Sequence, residues 1–380
     1  MEKVIKNAKI PYHNIIMENS DVLIEGGIIK YVGRLDKEQL KDKEQLKDKE
    51  VIDARGYYLV PGFIDCHGFN GYNADDLRQM AVKYAKRGIT GFYATLGPES
   101  NEEYLRIFEE CRKAFGSNYS GAHFLGFHIE GPFLSLEKKG AMDEKKIRKI
   151  VPRKVQELID AGSGLIKIMT IAPELEGACE AIEKITEAGI TVSLGHSAAT
   201  YAQTMKAVQK GATQATHMYN AMGAYNHRET GIIGAAELSD NVYCELIMDC
   251  VHVSIEAMKI LIKLKGTDKI MAVSDGDAEF ESGCPDGETG DYIIKDGAIY
   301  LKNGVLCGST RDIADHFKAM IVKLGLGIPD AVKMTSTNCA DHMKIKKGRI
   351  EKGFDADFNL VDDSFKVCKT YLSTCHPLSS

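Results

Sequence analysis

The chain has 380 residues, of which 44% are hydrophobic and 27% are charged, with a formal net charge of -6. This composition is typical of a globular protein with a large core, and without a basic stripe it argues against a nucleic-acid partner. No apolar run reaches the length of a membrane span, and the first residues lack the apolar segment of a secretory signal, so no membrane partner is expected.

Ten cysteines are spread along the chain without a Cys-x-x-Cys pair. Several of them, such as Cys66, Cys244 and Cys250, lie in apolar strand-like runs, where a thiol behaves as a small hydrophobic group. This usage predicts reduced thiols and a cytoplasmic protein, and it argues against disulfides or a cysteine-bound zinc.

The start of the chain predicts short strands at 3–10, 21–33 and 51–60, separated by turns rich in Asn, Gly and Asp. The glycine pair Gly26-Gly27 predicts a hairpin turn within the second of these segments. Further on, the segment Lys37–Asp42 is repeated at Lys43–Asp48. A solvated loop lengthened by duplication explains this repeat better than an arm that binds a partner.

From Val60 onward, apolar runs alternate with charged stretches that carry apolar residues at helical spacing. The eight runs lie near residues 60–66, 89–96, 123–130, 165–172, 190–195, 212–217, 242–249 and 269–275. Eight strand–helix units predict a (β/α)8 barrel, and the alternative is an open doubly wound sheet. No glycine-rich dinucleotide loop follows the first run, which favours the barrel.

Beyond the eighth run, turn-forming glycines predict a hairpin-rich insertion at 279–307, followed by helices at 309–324 and 328–343 and by strand and turn at 348–361. Strands at both ends of the chain predict a small β-sandwich domain assembled from the two termini. We therefore expect the barrel to span residues 58–345, and the small domain to combine residues 1–57 with 346–380.

Polar side chains stand out at the ends of the predicted strands, which is where barrels of this kind place their active sites. They are His67, Glu130, His196, His217, Asp249, His252 and Asp275. Glu130 ends an apolar run, and an isolated acid there is costly unless it is paired or holds a cation. Together with His196 and His217, which end two other strands, it predicts a metal site with open positions. These ligands suit Zn2+, with Fe2+, Co2+ or Mn2+ as alternatives.

Two further strand-end residues could take part in the chemistry. Asp275, in Val-Ser-Asp-Gly, ends the eighth run, and beside a metal it is placed to take a proton from water as a general base. His67 ends the first run, and it either contacts the metal or only forms a hydrogen bond.

Candidate substrate contacts follow the later strands. Arg228 lies in a polar loop and has the side chain best shaped to bind a phosphate. His252 either caps the chain or polarises a substrate oxygen. Asn220 and Ala221, just past His217, can offer amide donors to a ligand.

Taken together, these stretches resemble the N-acetylglucosamine-6-phosphate deacetylase family of the amidohydrolase superfamily. The match is ordered and spans nearly the whole chain. The motifs that carry it are Pro61-Gly-Phe-Ile-Asp65, His128-Ile-Glu-Gly-Pro-Phe133, Lys139-Gly-Ala141, Ile171-Ala-Pro-Glu174, Gly195-His-Ser197, Thr216-His-Met-Tyr-Asn-Ala-Met222, His227-Arg-Glu229, Asp249-Cys-Val-His252, Val273-Ser-Asp275 and Gly353-Phe-Asp-Ala-Asp-Phe358.

The resemblance implies deacetylation of N-acetylglucosamine-6-phosphate in amino-sugar catabolism by a (β/α)8 barrel with a small β-sandwich, often as a homodimer. It implies one divalent metal and Asp275 as the catalytic acid and base. The implied metal ligands are Glu130, His196 and His217, with His67 as a further candidate. The implied sugar-phosphate contacts are Ala141, Asn220, Ala221, Arg228 and His252. Of these, Arg228 and His252 would act either in their own subunit's pocket or in a neighbour's.

Two positions depart from the family's pattern. The first strand carries His67-Gly-Phe69 in place of His-x-His, which removes a ligand for a second metal. Met142 follows Lys139-Gly-Ala141 where the family usually has a substrate-contacting His. This change keeps open a related substrate, such as N-acetylgalactosamine-6-phosphate or another amide. A non-catalytic protein that binds a sugar phosphate is the alternative from a different class.

Overall fold

The structure is a computed structural model that describes residues 2–35, 50–69, 71–277, 279–280 and 282–373. The duplicated segment Lys37–Asp48, predicted to be a solvated loop, lies outside these residues. The described strands are β1 Lys3–Tyr12, β2 Ile15–Glu25, β3 Ile28–Gly33, β4 Glu50–Asp53, β5 Tyr58–Pro61, β6 Phe63–Phe69, β7 Ile89–Leu96, β8 His123–Glu130, β9 Ile166–Ile171, β10 Thr191–Leu194, β11 Ala212–Ala215, β12 Tyr243–Ile247, β13 Ile270–Val273, β14 Gly276–Asp277, β15 Gly287–Thr289, β16 Tyr292–Lys295, β17 Ala298–Leu301, β18 Leu306–Ser309, β19 Phe358–Val361 and β20 Val367–Tyr371.

The described helices connect the barrel strands and continue after the insertion. They are α1 Ala74–Lys86, α2 Asn101–Phe115, α3 Pro152–Gly162, α4 Ala178–Glu187, α5 Tyr201–Gln209, α6 Gly231–Leu238, α7 Ile255–Lys265, α8 Ile313–Val322, α9 Ile328–Val332 and α10 Asn338–His342. The chain also forms a 3-10 turn at Leu136–Lys138 and a π-helical turn at Lys333–Thr337. Each helix in the described ranges is too short or too polar to span a lipid bilayer.

The strands β6 to β13 form a parallel barrel in which each strand pairs with the next along the chain. The barrel closes because the chain after β13 returns to β6. The N–H of Asp275 donates to the carbonyl oxygen of His67 at 2.8 Å, and β14 then pairs in parallel with the end of β6. This closure confirms the predicted (β/α)8 barrel and excludes the open sheet.

The first predicted run, 60–66, is in fact two strands. Gly62 separates β5 from β6, and a side chain at Gly62 would meet Thr90 at 2.0 Å, so only glycine fits this close approach. Because β6 extends to Phe69, His67 lies inside the strand and not after it. The apolar periodicity could not show this division, because both strands are equally buried.

The strands near the two termini form a seven-stranded sheet, in which β1 pairs with β2, β4 and β5, and β5 pairs with β19. The turn predicted at Gly26-Gly27 joins β2 to β3, and both glycines have positive φ, 59° and 77°. The sheet has its own core, formed by Ile5, Ile10, Ile24, Leu59 and Phe358 among others. The predicted domain boundaries stay a prediction, although β5, placed with the barrel by them, pairs within this sheet.

The insertion predicted at 279–307 contains the antiparallel strands β15 to β18, which extend the barrel sheet from β14. Helix α8 begins after Asp312, whose side chain accepts hydrogen bonds from the N–H groups of Ala314 and Asp315. The helix predicted at 328–343 is divided by the π-helical turn, and only β19 forms within the segment predicted at 348–361.

Candidate active site

Three side chains that end barrel strands converge on one point. Oε1 of Glu130, the last residue of β8, lies 3.0 Å from Nε2 of His196 and 2.9 Å from Nε2 of His217. The two Nε2 atoms are 3.1 Å apart, and all three residues are buried. Nδ1 of His196 donates to the carbonyl oxygen of Lys138 at 2.8 Å, which leaves its Nε2 facing Glu130. Nitrogen and oxygen ligand atoms that lie this close together fit a divalent metal site.

The turns that carry these side chains have unusual backbone angles. His196, His217 and Asp275 have φ values of 47°, 27° and 46°, respectively. Residues other than glycine rarely adopt this left-handed region, and such strain costs about 1–3 kcal/mol per residue. This backbone conformation points three candidate side chains from different strand ends into the same cavity. Strained residues that gather in this way are typical of a functional site.

His67 and Asp275 lie on the other side of Glu130. Nε2 of His67 is 3.5 Å from Oε2 of Glu130 and 3.4 Å from Oδ1 of Asp275. Among the described residues, neither His67 Nε2 nor Glu130 Oε2 forms a hydrogen bond, although both atoms are buried. The structure therefore brings the fourth candidate ligand within reach of the cluster but leaves its role a prediction.

The two carboxyl groups of the site have opposite pKa shifts. Burial raises the pKa of Asp275 above its usual range, and the imidazoles of His67 and His217 offset only part of that rise. Burial also raises the pKa of Glu130, but His67 and the two histidines hydrogen-bonded to it more than compensate and hold its pKa well below the usual range. Of the two carboxyl groups, Asp275 is thus the one whose surroundings favour the protonated form, which suits a group that takes up and returns a proton.

A cavity of about 190 Å³ opens above this cluster. Four of the predicted substrate contacts line it, namely Ala141, Asn220, Ala221 and His252. Phe69 and Met142, the two departures from the family pattern, also line it. Leu306 and Cys307 contribute from β18 of the insertion. They could not be predicted from sequence, because their place depends on how the hairpins fold back over the barrel.

His252 and Arg228, both predicted to contact substrate, lie in different surroundings. Nδ1 of His252 donates to Oδ2 of Asp249 at 2.7 Å, which leaves Nε2 as the ring nitrogen available to the cavity. Arg228 is exposed, its guanidinium contacts the neighbouring His227 at 2.9 Å, and it is absent from the residues that line the cavity. The structure thus brings His252 to the site but does not bring Arg228 to it within one chain.

Glu245, in the middle of β12, is a buried acid near the site that sequence reasoning missed. Its Oε2 atom accepts from Nδ1–H of His67 at 2.7 Å. The signal was available, because an acid interrupts the apolar run Tyr-Cys-Glu-Leu-Ile just as Glu130 does in its own run. It differs in lying at mid-strand, where a barrel active site is not expected.

Residues 58–375 match the model of the amidohydrolase family. Among curated proteins, the N-acetylglucosamine-6-phosphate deacetylase of Lysinibacillus sphaericus is 33% identical over 331 residues, which cover 84% of this chain and 85% of that protein. The protein of the same name from Bacillus subtilis (strain 168) is 31% identical over 391 residues, covering 98% of this chain and 95% of its own.

Solved structures give the same result. The structure of N-acetylglucosamine-6-phosphate deacetylase from Pasteurella multocida matches with a TM-score of 0.86 and 28% identity, covering 98% of this chain and 99% of its own. That from Thermotoga maritima matches with a TM-score of 0.83 and 30% identity, covering 99% and 100%. The fold is therefore that of a known group of hydrolases.

Proposed function

The chain belongs to the amidohydrolase family, and we propose that it hydrolyses the acetamide of N-acetylglucosamine-6-phosphate to give glucosamine-6-phosphate and acetate. The observation that carries this proposal is a buried Glu/His/His donor set with a separate carboxyl group, Asp275, on the floor of the same cavity. The relatives that bear the name of this activity match nearly the full chain.

Glu130, His196 and His217 are proposed to hold one divalent cation, and zinc suits a site of two imidazoles and a carboxylate. The residues fit such an ion because their ligand atoms lie within 4.8 Å of one another. His67 is proposed as a further ligand, because its Nε2 faces Glu130 and has no hydrogen bond within the described chain. When bound, the cation supplies Lewis acidity and lowers the pKa of water.

Asp275 is proposed to move the proton of the reaction. It takes a proton from the attacking water as the water oxygen bonds to the acetamide carbon. Its raised pKa lets it hold that proton until the carbon–nitrogen bond breaks. It then delivers the proton to the departing sugar nitrogen, so that the free amine and acetic acid leave and Asp275 returns to its ionised form. The acetic acid loses its remaining proton to solvent and becomes acetate.

The cavity residues are proposed to orient the substrate around this step. Asp249 fixes the ring of His252, whose Nε2, when protonated, donates to the acetamide oxygen as negative charge develops on it. Asn220, Ala221 and Ala141 line the same cavity and are placed to contact the sugar phosphate. Binding the sugar at these points holds the amide beside Asp275, which lowers the entropic part of the barrier.

Arg228 is proposed to bind the substrate phosphate in the pocket of a neighbouring subunit of a homodimer. Its exposure, and its absence from the residues lining the cavity of its own chain, favour this choice over its own pocket. A guanidinium is the side chain best suited to a phosphate, because it donates two parallel hydrogen bonds. The homodimer and the cytoplasmic location both stay predictions.

The test of the reaction is acetate release by the metal-loaded protein, with N-acetylglucosamine-6-phosphate and its galactosamine epimer assayed side by side. We expect the glucosamine compound to be hydrolysed faster. Faster turnover of the epimer would instead support the related activity that Met142 keeps open, since Met142 lines the cavity. Binding of either compound without acetate release would indicate a non-catalytic sugar-phosphate-binding protein.

The test of the phosphate contact is Arg228→Ala. This change should raise KM for the phosphorylated substrate about 10-fold or more, the loss expected for a charge-assisted hydrogen bond of 1.5–3 kcal/mol. It should leave hydrolysis of unphosphorylated N-acetylglucosamine unchanged. Arg153→Ala, which removes another exposed arginine, one paired with Glu157, is the control. Equal losses on both substrates would argue against the contact.

A further inference from the structure

Below the candidate metal ligands, inside the barrel, lies a carboxylate that the proposed reaction does not use. Glu245 on β12 is 0% exposed. Its Oε2 atom accepts from Nδ1–H of His67 at 2.7 Å and from the backbone N–H of His217 at 3.1 Å. Its Oε1 atom accepts from the side-chain amide of Gln214. These hydrogen bonds tie one carboxylate to two residues of the candidate site.

His67, His128 and Glu245 have the residue types of a second metal site. His128, however, already uses both ring nitrogens. Its Nδ1 lies 3.0 Å from the carbonyl oxygen of Cys66, so this nitrogen must carry the proton, and its Nε2 accepts from the hydroxyl of Thr170 at 2.8 Å. Burial lowers the pKa of His128 to about 4, so the ring is neutral. The cluster is therefore a hydrogen-bonded support for the site and not a metal centre.

We propose that Glu245 is a positioning residue for the reaction, which keeps a proton on Nδ1 of His67 and so presents Nε2 of that ring to Glu130 and Asp275. An imidazole has two similar nitrogens, and the hydrogen bond made by one decides the role of the other. Without an acceptor at Nδ1, the carboxylates of Glu130 and Asp275, at 3.5 and 3.4 Å from Nε2, would draw the ring proton onto Nε2. The inference rests on the proposed function, because Glu130 and Asp275 are its metal ligand and its general base.

The burial of Glu245 supports a functional role. Replacing a buried charged group with a well-packed apolar side chain is often neutral or stabilising, so stability alone does not explain a carboxylate at this position. The backbone bond to His217 adds to the argument, because the same carboxylate supports a residue whose φ is 27°. One acid thus orients a side chain from β6 and the turn after β11.

Two substitutions separate the acceptor from the charge. Glu245→Leu removes the acceptor and should lower kcat about 10–100-fold, the usual loss for a group that orients a metal-site histidine. KM should change little, because Glu245 does not line the cavity. Glu245→Gln keeps a carbonyl oxygen for His67 and His217. Its amide nitrogen finds an acceptor once the Gln214 amide, which donates to Glu245 in the wild type, flips and presents its oxygen, with His342 changing tautomer to match. The glutamine variant should therefore retain most of the activity.

The decisive measurement is long-range proton–nitrogen NMR on the metal-free full chain carrying nitrogen-15 histidine, with the His67 signals identified by their loss in His67→Gln. The wild-type and Glu245→Gln proteins should show a proton on Nδ1 of His67, and Glu245→Leu should show a shift toward protonated Nε2. Glu237→Leu is the matched control, because it removes another buried carboxylate, one bonded to the Tyr219 hydroxyl at 3.0 Å. It should alter neither the signals nor kcat.

A wild-type His67 without a proton on Nδ1 would overturn the proposal. So would a Glu245→Leu protein whose His67 signals and kcat match the wild type. If the leucine variant does not fold, the wild-type and glutamine spectra still decide the question. The spectra need neither metal nor substrate, so a failure of the positioning role is distinguished from a failure of the proposed deacetylation, which only the acetate assay tests.

Discussion

The two ends of strand β8 lie in two buried charged clusters. At its start, His123 faces Asp357 of the C-terminal segment, with Nε2 and Oδ1 3.3 Å apart. The same carboxylate accepts from the N–H and hydroxyl of Ser373 at 2.6 and 2.8 Å, and from Nζ of Lys347 at 2.5 Å. Lys347 also contacts Asp355 at 2.8 Å. In this cluster, opposite charges and hydrogen-bond donors surround the buried acid.

At the end of β8, the pairing is incomplete. Oε1 of Glu130 is shared by two imidazole nitrogens, and Oε2 of Glu130 and Nε2 of His67 have no hydrogen bond in the part of the chain that the structure describes. The two clusters therefore have different roles. The cluster around Asp357, at the start of β8, stabilises the contact between the barrel and the terminal sheet. The cluster around Glu130, at the end of β8, has polar atoms that are available to a ligand.

We expect Asp275→Asn to reduce activity more than any of the other changes. This change should lower kcat about 10²–10⁴-fold, the usual contribution of a general base, because an amide cannot take the proton of water. It should not lower the melting temperature, since burial raises the pKa of this carboxyl group and its charged form is disfavoured in the fold. Acetate release and thermal melting are the measurements. A variant with near-normal turnover would contradict the assignment.

Metal removal should affect the cluster around Glu130 and not the cluster around Asp357. Chelation should abolish acetate release, and adding Zn2+ to the metal-free protein should raise its stability by about 4 kcal/mol at a thousandfold excess over Kd. Glu130→Gln should remove this stabilisation, and Asp357→Asn should keep it. Melting curves with and without Zn2+ provide the comparison. A rise of the same size in Glu130→Gln would place the ion elsewhere.

Asp357→Asn should lower stability and leave activity unchanged, the reverse of what we expect for Asp275→Asn. Removing one partner of a buried ion pair costs about 3 kcal/mol or more, because Lys347 then loses one of its two acidic partners. Denaturant unfolding should show this loss, while kcat per folded molecule stays at the wild-type value. A fall in kcat without a fall in stability would mean that the paired cluster has a role in the reaction.

The stability lost in Asp357→Asn should also depend on pH, and this is a smaller change than the loss itself. Burial raises the pKa of Asp357, but the hydrogen bond of His123 and the charge of Lys347 more than compensate and hold the pKa well below its usual range. A carboxyl group whose pKa is depressed in the folded state contributes stability that is present above its unfolded pKa, near 3.9, and lost as the pH falls below that value. The gap in unfolding free energy between wild type and Asp357→Asn should therefore shrink between about pH 5 and pH 3. If the difference in unfolding free energy instead grows as the pH falls, the pKa of Asp357 is not depressed in the folded protein.

Much of the barrel could be predicted because each strand is a short apolar run bounded by polar residues. Runs two to eight agree with β7 to β13 to within a few residues. The first run failed because Gly62 divides two equally buried strands, and the reason for that glycine is the contact with Thr90 on a neighbouring strand. An apolar run in the sequence predicts that its residues are buried, but it does not predict which of two sheets each residue belongs to.

The candidate metal ligands could be proposed from sequence because Glu130, His196 and His217 are polar residues at the ends of apolar runs, where burial without a partner is costly. The supporting acid Glu245 interrupts its run at mid-strand, and its partner His67 is 178 positions away in sequence. The paired cluster around Asp357 was equally hidden, since it joins the start of a barrel strand to a segment near the C-terminus.

Most barrel strands, the barrel and the types of side chain at the strand ends could be predicted from sequence, because hydrophobic periodicity and the cost of buried charge act along short stretches of chain. Which polar atoms are paired, and which have no hydrogen bond among the described residues, could be read only from the folded chain. That distinction depends on distances between side chains on strands far apart in sequence, and closure of the barrel brings some of those side chains to hydrogen-bonding distance.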